Sequence, residues 1–295
     1  LTTAEDRSEA VVASEAALDA MAAVEGRLST WREDSELSRL NRASPGSAVE
    51  PSPDVAGLLA EIAGWAEVTG GAFHPAVGAL VDAWDLRGEG RVPDEAEIRA
   101  ALAATGFAGV LIDNRRGSVL RRAPGAWLDA GGFGKGAALR EARRALQATG
   151  AEAARVDLGG QILLVGPSPS EVAIAHPTDR SRPVARVSVH DVSVATSGQS
   201  ERGIEVDGQR FGHLLDPRTG RPVPPWGSVT VVHDDPVAAD VLATALFVLG
   251  PVDGHHLATS LGVAALFVVN GESGVSPHPT PAFHFLDFTP SESPE

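Results

Sequence analysis

The period of the hydrophobic pattern changes near residue 110, and this change constrains the fold more than any other feature of the sequence. Before it, apolar residues recur at the spacing of a helix that packs on one face, as at positions 12, 16, 20 and 24. We predict helices over residues 7–27, 54–69, 75–84 and 94–105, and a short helix capped near Asp34 or Ser35.

After residue 110 the pattern favours strands. We predict a hairpin from residues 110–112 and 118–121, helices over 136–149 and 237–249, and strands at 155–165, 171–175, 184–190, 204–206, 228–232 and within 261–269. Helices and strands do not alternate regularly, which favours an α+β fold. We expect a single domain of mixed sheets with packed helices over residues 1–287, which could comprise two interleaved subdomains, and a frayed tail at 288–295.

The charge of the chain restricts its partners. The chain has 39 acidic and 24 basic residues, a net charge of -15, and no cysteine. An acidic protein repels nucleic acid, and an anionic dinucleotide would need a local metal ion or lysine. The absence of cysteine excludes disulfides, thiolate metal sites and cysteine nucleophiles.

The sequence does not decide between a cytoplasmic and an exported protein. We expect no transmembrane segment, because no apolar run approaches the about 20 residues that span a bilayer. No signal peptide is visible, although the chain begins with Leu1 and not Met, so a preceding segment could have been trimmed.

A glycine-rich loop, LDAGGFGKG at residues 128–136, leads directly into a predicted helix. Glycines allow the backbone to approach a phosphate, and helix N–H groups point at it, so the loop could bind an anion. Its spacing is neither the Walker nor the Rossmann pattern. A plain glycine-rich turn that caps the helix explains the spacing equally well.

Three further segments carry polar groups suited to chemistry. His213 precedes the turn DPRTG and could be a general base, or a surface histidine beside a tight turn. Asp240 and Thr244 share one helix face and offer the oxygen ligands that Mg²⁺ prefers, although the helix dipole alone could explain Asp240. The segment VATSGQ at 194–199 is interpreted as a loop in which Ser197 and Gly198 could contact a ligand.

Taken together and in order, seven segments resemble the ApbE family of FAD:protein FMN transferases. They are TWREDSELSRLN at 30–41, GAFHPAVG at 71–78, LDAGGFGKG at 128–136, VDLGG at 156–160, ATSG at 195–198, HLLDPRTG at 213–220 and ADVLATAL at 239–246. The resemblance implies an ApbE-like α+β domain and FAD as substrate. It also implies Mg²⁺ and transfer of FMN to a Ser or Thr hydroxyl of an acceptor protein, with AMP leaving.

The resemblance also implies roles for individual residues. Asp240 and Thr244 match side-chain metal ligands, and Gly132 matches a position whose main-chain carbonyl completes the site. His213 matches the residue that would deprotonate the acceptor hydroxyl. The positions that match flavin contacts are Trp31, Asp129, Lys135 and Leu215, to which we add Ser197 and Gly198 of the polar segment.

The chain departs from the family pattern at three places. His74 stands where the family usually has Asp, and Gly132 and Gly134 replace Ala-type residues, which predicts a looser loop. An early Met-Gly-Thr strand does not occur, and we expect the chain to start just after it, with reduced flavin affinity.

Two other functions fit the same residues. An Mg²⁺-dependent FAD pyrophosphatase would use the same site with water in place of the hydroxyl, giving FMN and AMP. A non-catalytic flavin-binding protein would need no base, so His213 argues against it.

Overall fold

The computed structural model describes residues 7–199, 202–272 and 274–290. The helices are α1 (Arg7–Leu28), α2 (Glu36–Arg42), α3 (Pro53–Val68), α4 (Gly78–Ala83), α5 (Glu95–Ala103), α6 (Gly106–Gly109), α7 (Gly134–Ala148), α8 (Pro236–Ser260) and α9 (Pro281–His284). The strands are β1 (Ala48–Val49), β2 (Val110–Asp113), β3 (Ser118–Arg121), β4 (Ala154–Leu158), β5 (Gln161–Val165), β6 (Ser170–His176), β7 (Asp179–Val189), β8 (Ser193–Gly198), β9 (Gly203–Val206), β10 (Gln209–Gly212), β11 (Leu215–Asp216), β12 (Arg221–Pro222), β13 (Gly227–His233), β14 (Ala264–Gly271), β15 (Gly274–Pro279) and β16 (Asp287–Pro290). The irregular order confirms the predicted α+β class.

The chain forms two compact units, and each unit is built from separated segments. Unit 1 consists of Leu1–Val24, Phe133–Ser200 and Pro225–Glu295, and unit 2 of Glu25–Gly132 and Glu201–Pro224. The two units are interleaved along the sequence, as the prediction allowed.

Unit 1 is organised around an antiparallel six-stranded sheet in the order β15-β14-β13-β8-β5-β4. Small and branched side chains bury α1 and α7 against β4 and β5, among them Ala17, Leu139 and Leu163. A smaller sheet, β16-β7-β6, shares a second apolar core with β5, β13 and β14. The helix α8 packs against α7, β8 and β13. The starts of α7 and α8 are therefore fixed relative to each other and to the six-stranded sheet.

Unit 2 contains α2 to α6, the antiparallel sheet β1-β3-β2, the hairpin β9–β10 and the short ladder β11–β12. Its largest fully buried side chain is Trp84, whose indole N–H donates to the carbonyl of Gly220 at 2.8 Å. Asp94 caps α5 in a capping box with Glu97, which satisfies N–H groups that the first turn leaves unpaired.

The helix predicted over residues 75–84 is wrong at its start, because α4 begins only at Gly78. The carbonyl of Pro75 accepts the N–H of Asp129 at 2.7 Å, and the carbonyl of Ala76 accepts the N–H of Gly106 at 2.9 Å. Both carbonyls therefore have non-helical partners. The helix predicted from Gly136 begins earlier, at Gly134.

The single strand predicted over residues 155–165 is also wrong, because it is a hairpin of β4 and β5. Gly159 and Gly160 have φ of 58° and 86° and form the turn. Positive φ at two successive residues gives the turn that suits the twist of paired strands, and glycine adopts it without strain. The hairpin of β2 and β3 is confirmed.

The predicted frayed tail is wrong for its first three residues. Phe288 and its neighbours belong to β16, which pairs with β7; residues 291–295 lie outside the described residues. The strands β10 and β15 were not predicted.

The helix predicted to end near Leu249 continues to Ser260 after a break. Gly250 has φ 81° and ψ 178°, which is not helical, and Pro251 starts the second half. By length and composition α8 could cross a membrane, which the sequence reading did not anticipate. Because 67% of its most apolar stretch is buried in the protein, it has the character of a core helix and is a weak candidate for a membrane span.

Candidate functional site

In unit 1, the carboxylate of Asp240 lies at the crossing of α7 and α8. Its Oδ1 accepts from Lys135 Nζ at 2.8 Å, and its Oδ2 accepts the backbone N–H of Gly136 at 3.0 Å. Asp240 is 4% exposed. The carboxylate therefore pairs with an N–H of the first turn of α7, and the dipole of its own helix does not explain its position.

The two helices approach this closely because Gly136 has no side chain. A Cβ at this position would lie 2.4 Å from the carbonyl oxygen of Pro236. Asp235 fixes the start of α8 by accepting the N–H groups of Val237 and Ala238 at 2.7 and 3.0 Å. Burial alone would raise the pKa of Asp235, but hydrogen bonds from Arg140 and from these N–H groups outweigh it and lower the pKa.

Thr244 lies one turn after Asp240, and its hydroxyl donates to the carbonyl of Asp240 at 3.1 Å. The hydroxyl oxygen keeps acceptor capacity after donating its proton. Across the part of the chain that the structure describes, no three His, Asp or Glu side chains are grouped to hold a metal ion. A metal here would depend on Asp240 and Thr244, whose hard oxygen donors fit Mg²⁺, while Lys135 supplies the cation that now neutralises the carboxylate.

Ser197 and Gly198 do not lie in a loop, and that interpretation is wrong. They are the last residues of β8, opposite Val229 and Ser228 of β13 in the six-stranded sheet. Small polar residues have weak strand preference, so the pairing of these two residues with β13 decides the outcome.

In unit 2, Asp129 is held by two neighbours. Its Oδ1 accepts the N–H of Gly131 at 2.6 Å, and its Oδ2 accepts from Arg87 at 2.6 Å. Gly132 follows in the same turn. The predicted looseness of this loop does not extend to Gly134, which is the first residue of α7.

Trp31 is 74% exposed, and the guanidinium of Arg87 lies 4.7 Å from its ring centroid. Such a cation over an indole face is an attractive contact. An exposed ring of this kind can stack with a flat ligand, which is consistent with the predicted role of Trp31.

His213 lies between β10 and β11, and its side chain is half-buried. Its Nδ1 is 3.3 Å from the carbonyl oxygen of Arg202. A carbonyl only accepts, so Nδ1 is the donor in this contact.

The turn after His213 is rigid, and Leu215 in β11 is buried. Asp216 accepts from the backbone N–H and the guanidinium of Arg218. Gly220 closes the turn with φ 72°. The side chain of Leu215 therefore belongs to the core, and the turn that follows is fixed by its own hydrogen bonds.

His74 is buried, with 6% of its surface exposed, and burial lowers its pKa to about 4. Its Nδ1 accepts the N–H of Ala76 at 3.0 Å, and its ring meets the edge of Phe107. The histidine is therefore neutral near pH 7 and structures the loop before α4.

Sequence reasoning missed Arg87 and Trp127. Arg87 contacts both Trp31 and Asp129, and Trp127 stacks against Arg87. A single arginine in the segment WDLRGEG gave no motif, and only the fold brings these residues together.

Comparisons with known proteins agree with the resemblance. The sequence pattern of the ApbE family matches residues 2–267. The FAD:protein FMN transferase of Vibrio cholerae is 32% identical over 269 residues, which is 88% of this chain and 80% of that protein. The crystal structure of the ApbE protein of Thermotoga maritima superimposes with a TM-score of 0.85 at 31% identity, covering 93% of this chain and 91% of that one. The apo flavinyl transferase ApbE of Pseudomonas stutzeri gives a TM-score of 0.82, also at 31% identity, over 93% and 88% of the two chains.

Proposed function

The chain belongs to the ApbE family, and from this premise we propose that it transfers the FMN part of FAD to an acceptor protein. Relatives that are each named FAD:protein FMN transferase align with most of the chain, so it is an enzyme of the transferase class. The observation that carries the proposal is the buried Asp240, fixed between the starts of α7 and α8 with Thr244 one turn away.

The proposed reaction breaks the phosphoanhydride of FAD. The oxygen of a Ser or Thr hydroxyl on the acceptor forms a bond to the phosphorus of the FMN half, and the bond to the bridging oxygen breaks. AMP leaves with that oxygen. His213 would take the hydroxyl proton as the general base.

Asp240 and Thr244 would hold a magnesium ion, together with the main-chain carbonyl of Gly132 that the family resemblance adds. When bound, the ion would neutralise charge on the phosphate oxygens. Lys135 already contacts Asp240, so the metal and the ammonium would share this carboxylate, and Lys135 could turn toward the phosphates.

Flavin contacts would come from the remaining predicted residues. We assign the flavin ring to the exposed face of Trp31 and polar contacts to Asp129 and Lys135. Leu215 can contribute only through its main chain if its side chain stays buried. Ser197 and Gly198, at the end of β8, keep their place as candidate contacts.

The test incubates the chain with FAD, Mg²⁺ and an acceptor that carries a flavinylation motif, and measures acceptor mass and released nucleotide. An acceptor heavier by one FMN, with an equal amount of AMP, is the expected result. Release of FMN and AMP with an unmodified acceptor would contradict the proposal and indicate an FAD pyrophosphatase. Bound FAD that stays intact would contradict it and indicate a non-catalytic flavin-binding protein.

Asp240→Asn is the variant that tests the metal ligand. Asp240→Ala would leave Lys135 without its counter-ion and Gly136 N–H without an acceptor, so it would also destabilise unit 1. Asn keeps the size and one acceptor oxygen, so it can still accept the N–H of Gly136, although it no longer neutralises Lys135. We expect loss of transfer and a smaller drop in melting temperature than in Asp240→Ala, while Asp253→Asn, at an exposed position of α8, stays active. Normal transfer by Asp240→Asn would show that the metal assignment is wrong.

His213→Gln tests the base. We expect the turnover rate to fall by about 10² to 10⁴ with little change in FAD affinity, because a general base acts on the acceptor proton alone. His256→Asn, at an exposed position, is the matched control. A rate within a few fold of the original chain would exclude His213 as the base.

A further inference from the structure

The geometry points to Arg87 as a positioning residue that holds Trp31 in place as a stacking platform for the flat ring of the substrate. This inference rests on the proposed function and deepens it, because it concerns how the same site binds FAD. Arg87 lies in the segment between α4 and α5, and its side chain is 27% exposed.

Arg87 lies over two indole rings in unit 2. Its guanidinium carbon is 4.7 Å from the ring centroid of Trp31 and 4.4 Å from that of Trp127. A guanidinium is planar and weakly hydrated, so it can contact both indole rings at once. One face of Trp31 is therefore covered by Arg87, and the ring as a whole remains 74% exposed.

The side chain of Trp127 is held in place by α4. The ring of Trp127 lies over Gly78, where an added Cβ would fall 2.0 Å from a ring carbon. The indole N–H of Trp127 donates to Asp82 Oδ2 at 2.8 Å. Trp127 is thus fixed by α4 on its face and its edge, and it gives Arg87 a firm support.

The edge of the guanidinium is fixed by three hydrogen bonds. Arg87 donates to Thr30 Oγ1 at 2.5 Å, to the carbonyl of Thr30 at 3.4 Å and to Asp129 Oδ2 at 2.6 Å. Thr30 precedes Trp31 directly, so Arg87 contacts both the backbone neighbour and the ring of Trp31. The same side chain holds Asp129, the first polar residue of the glycine-rich loop.

This arrangement orders an exposed side chain before any ligand binds. Holding an exposed tryptophan in one rotamer lowers the conformational entropy that binding would otherwise remove. Lysine could keep the charge, but its ammonium cannot stack on two rings while it bonds Thr30 and Asp129. Holding Trp31 in this way therefore requires arginine at position 87, and a positive charge alone is not sufficient.

The experiment measures the dissociation constant of FAD by titration for the original chain and for Arg87→Ala, Arg87→Lys, Trp31→Ala and the Arg87→Ala/Trp31→Ala double variant. We expect Arg87→Ala and Arg87→Lys each to weaken binding about tenfold. In the Trp31→Ala background, removal of Arg87 should have a much smaller effect, because the two side chains act as one unit. Arg91→Ala, which removes an exposed ion pair with Glu97, is the control and should bind normally.

A merely structural role for Arg87 would weaken binding equally in both backgrounds, which would overturn the inference, as would unchanged binding by Arg87→Ala. A melting temperature for each variant identifies unfolding, and in that case Arg87→Lys and Arg87→Gln replace Arg87→Ala in the cycle. Failure of the original chain to bind FAD would instead refute the proposed function. In turnover assays, we expect the KM for FAD to rise about tenfold with kcat nearly unchanged.

Discussion

Acidification should destabilise the protein through His74. This side chain is buried, and burial lowers its pKa from 6.5 to about 4. In the unfolded chain the imidazole titrates near its ordinary value, so at pH 5 the unfolded form binds a proton that the folded form does not.

The sign and size follow from these two values. The stability that the neutral histidine contributes is fully present above pH 6.5 and is lost as the pH falls from 6.5 toward 4. The gap between 6.5 and about 4 corresponds to about 3 kcal/mol in total. Between pH 7 and pH 5 the expected loss is about 2 kcal/mol.

The assay is urea unfolding at pH 7 and pH 5, followed by tryptophan fluorescence. Of the five tryptophans, four lie in unit 2 with His74, so the signal reports mainly on that unit. His74→Asn is the matched variant, because its amide oxygen can still accept the N–H of Ala76 and does not titrate. His256→Asn, at an exposed position, is the control.

The variant should lose about 2 kcal/mol less than the original chain between the two pH values. Other titrating groups affect both proteins and cancel in this difference. An equal loss in His74→Asn and the original chain would refute the reasoning, because the pH dependence would then come from other groups.

Two further predictions concern the starts of α7 and α8. Gly136→Ala should destabilise the protein by about 2 kcal/mol, because the new methyl group would meet the backbone of α8. Gly64→Ala, in α3 with open space around it, should be neutral or stabilising; equal melting temperatures for the two variants would contradict the close crossing. Asp235→Asn should cost about 1 kcal/mol at pH 7. Because the pKa of Asp235 is lowered, its contribution is present above 3.8 and is lost below it, so the cost should shrink toward pH 3 in urea titrations. A cost that stays constant would exclude this ionic contribution.

The elements that the sequence predicted well are those fixed by nearby residues. The helices α1, α3 and α5 carry their own periodicity, α5 also carries a capping box, and the hairpin of β2 and β3 has turn residues between its strands. The strand β8 was missed because its order comes from β5 and β13, which are distant in sequence. The break at Gly250 was interpreted as a helix end, since glycine often terminates helices.

In the candidate site, too, the sequence predicted what nearby residues determine and missed the contacts between distant residues. Spacing alone placed Asp240 and Thr244 on one helix face, because helix geometry is local. The contacts of Asp240 with Lys135 and of Arg87 with Asp129 join residues 105 and 42 positions apart. No pattern in one sequence encodes such pairs, since they arise only when the elements pack.

The contact between Lys135 and Asp240 also determines the order in which this region can be assembled. A buried carboxylate without compensation is strongly destabilising, so a chain that relied on a metal to neutralise it would fold only with that metal present. Here an ammonium 2.8 Å away provides the opposite charge from within the chain. Unit 1 can therefore fold with Asp240 already neutralised, and the Mg²⁺ proposed above would bind by exchanging with an ammonium that is part of the chain.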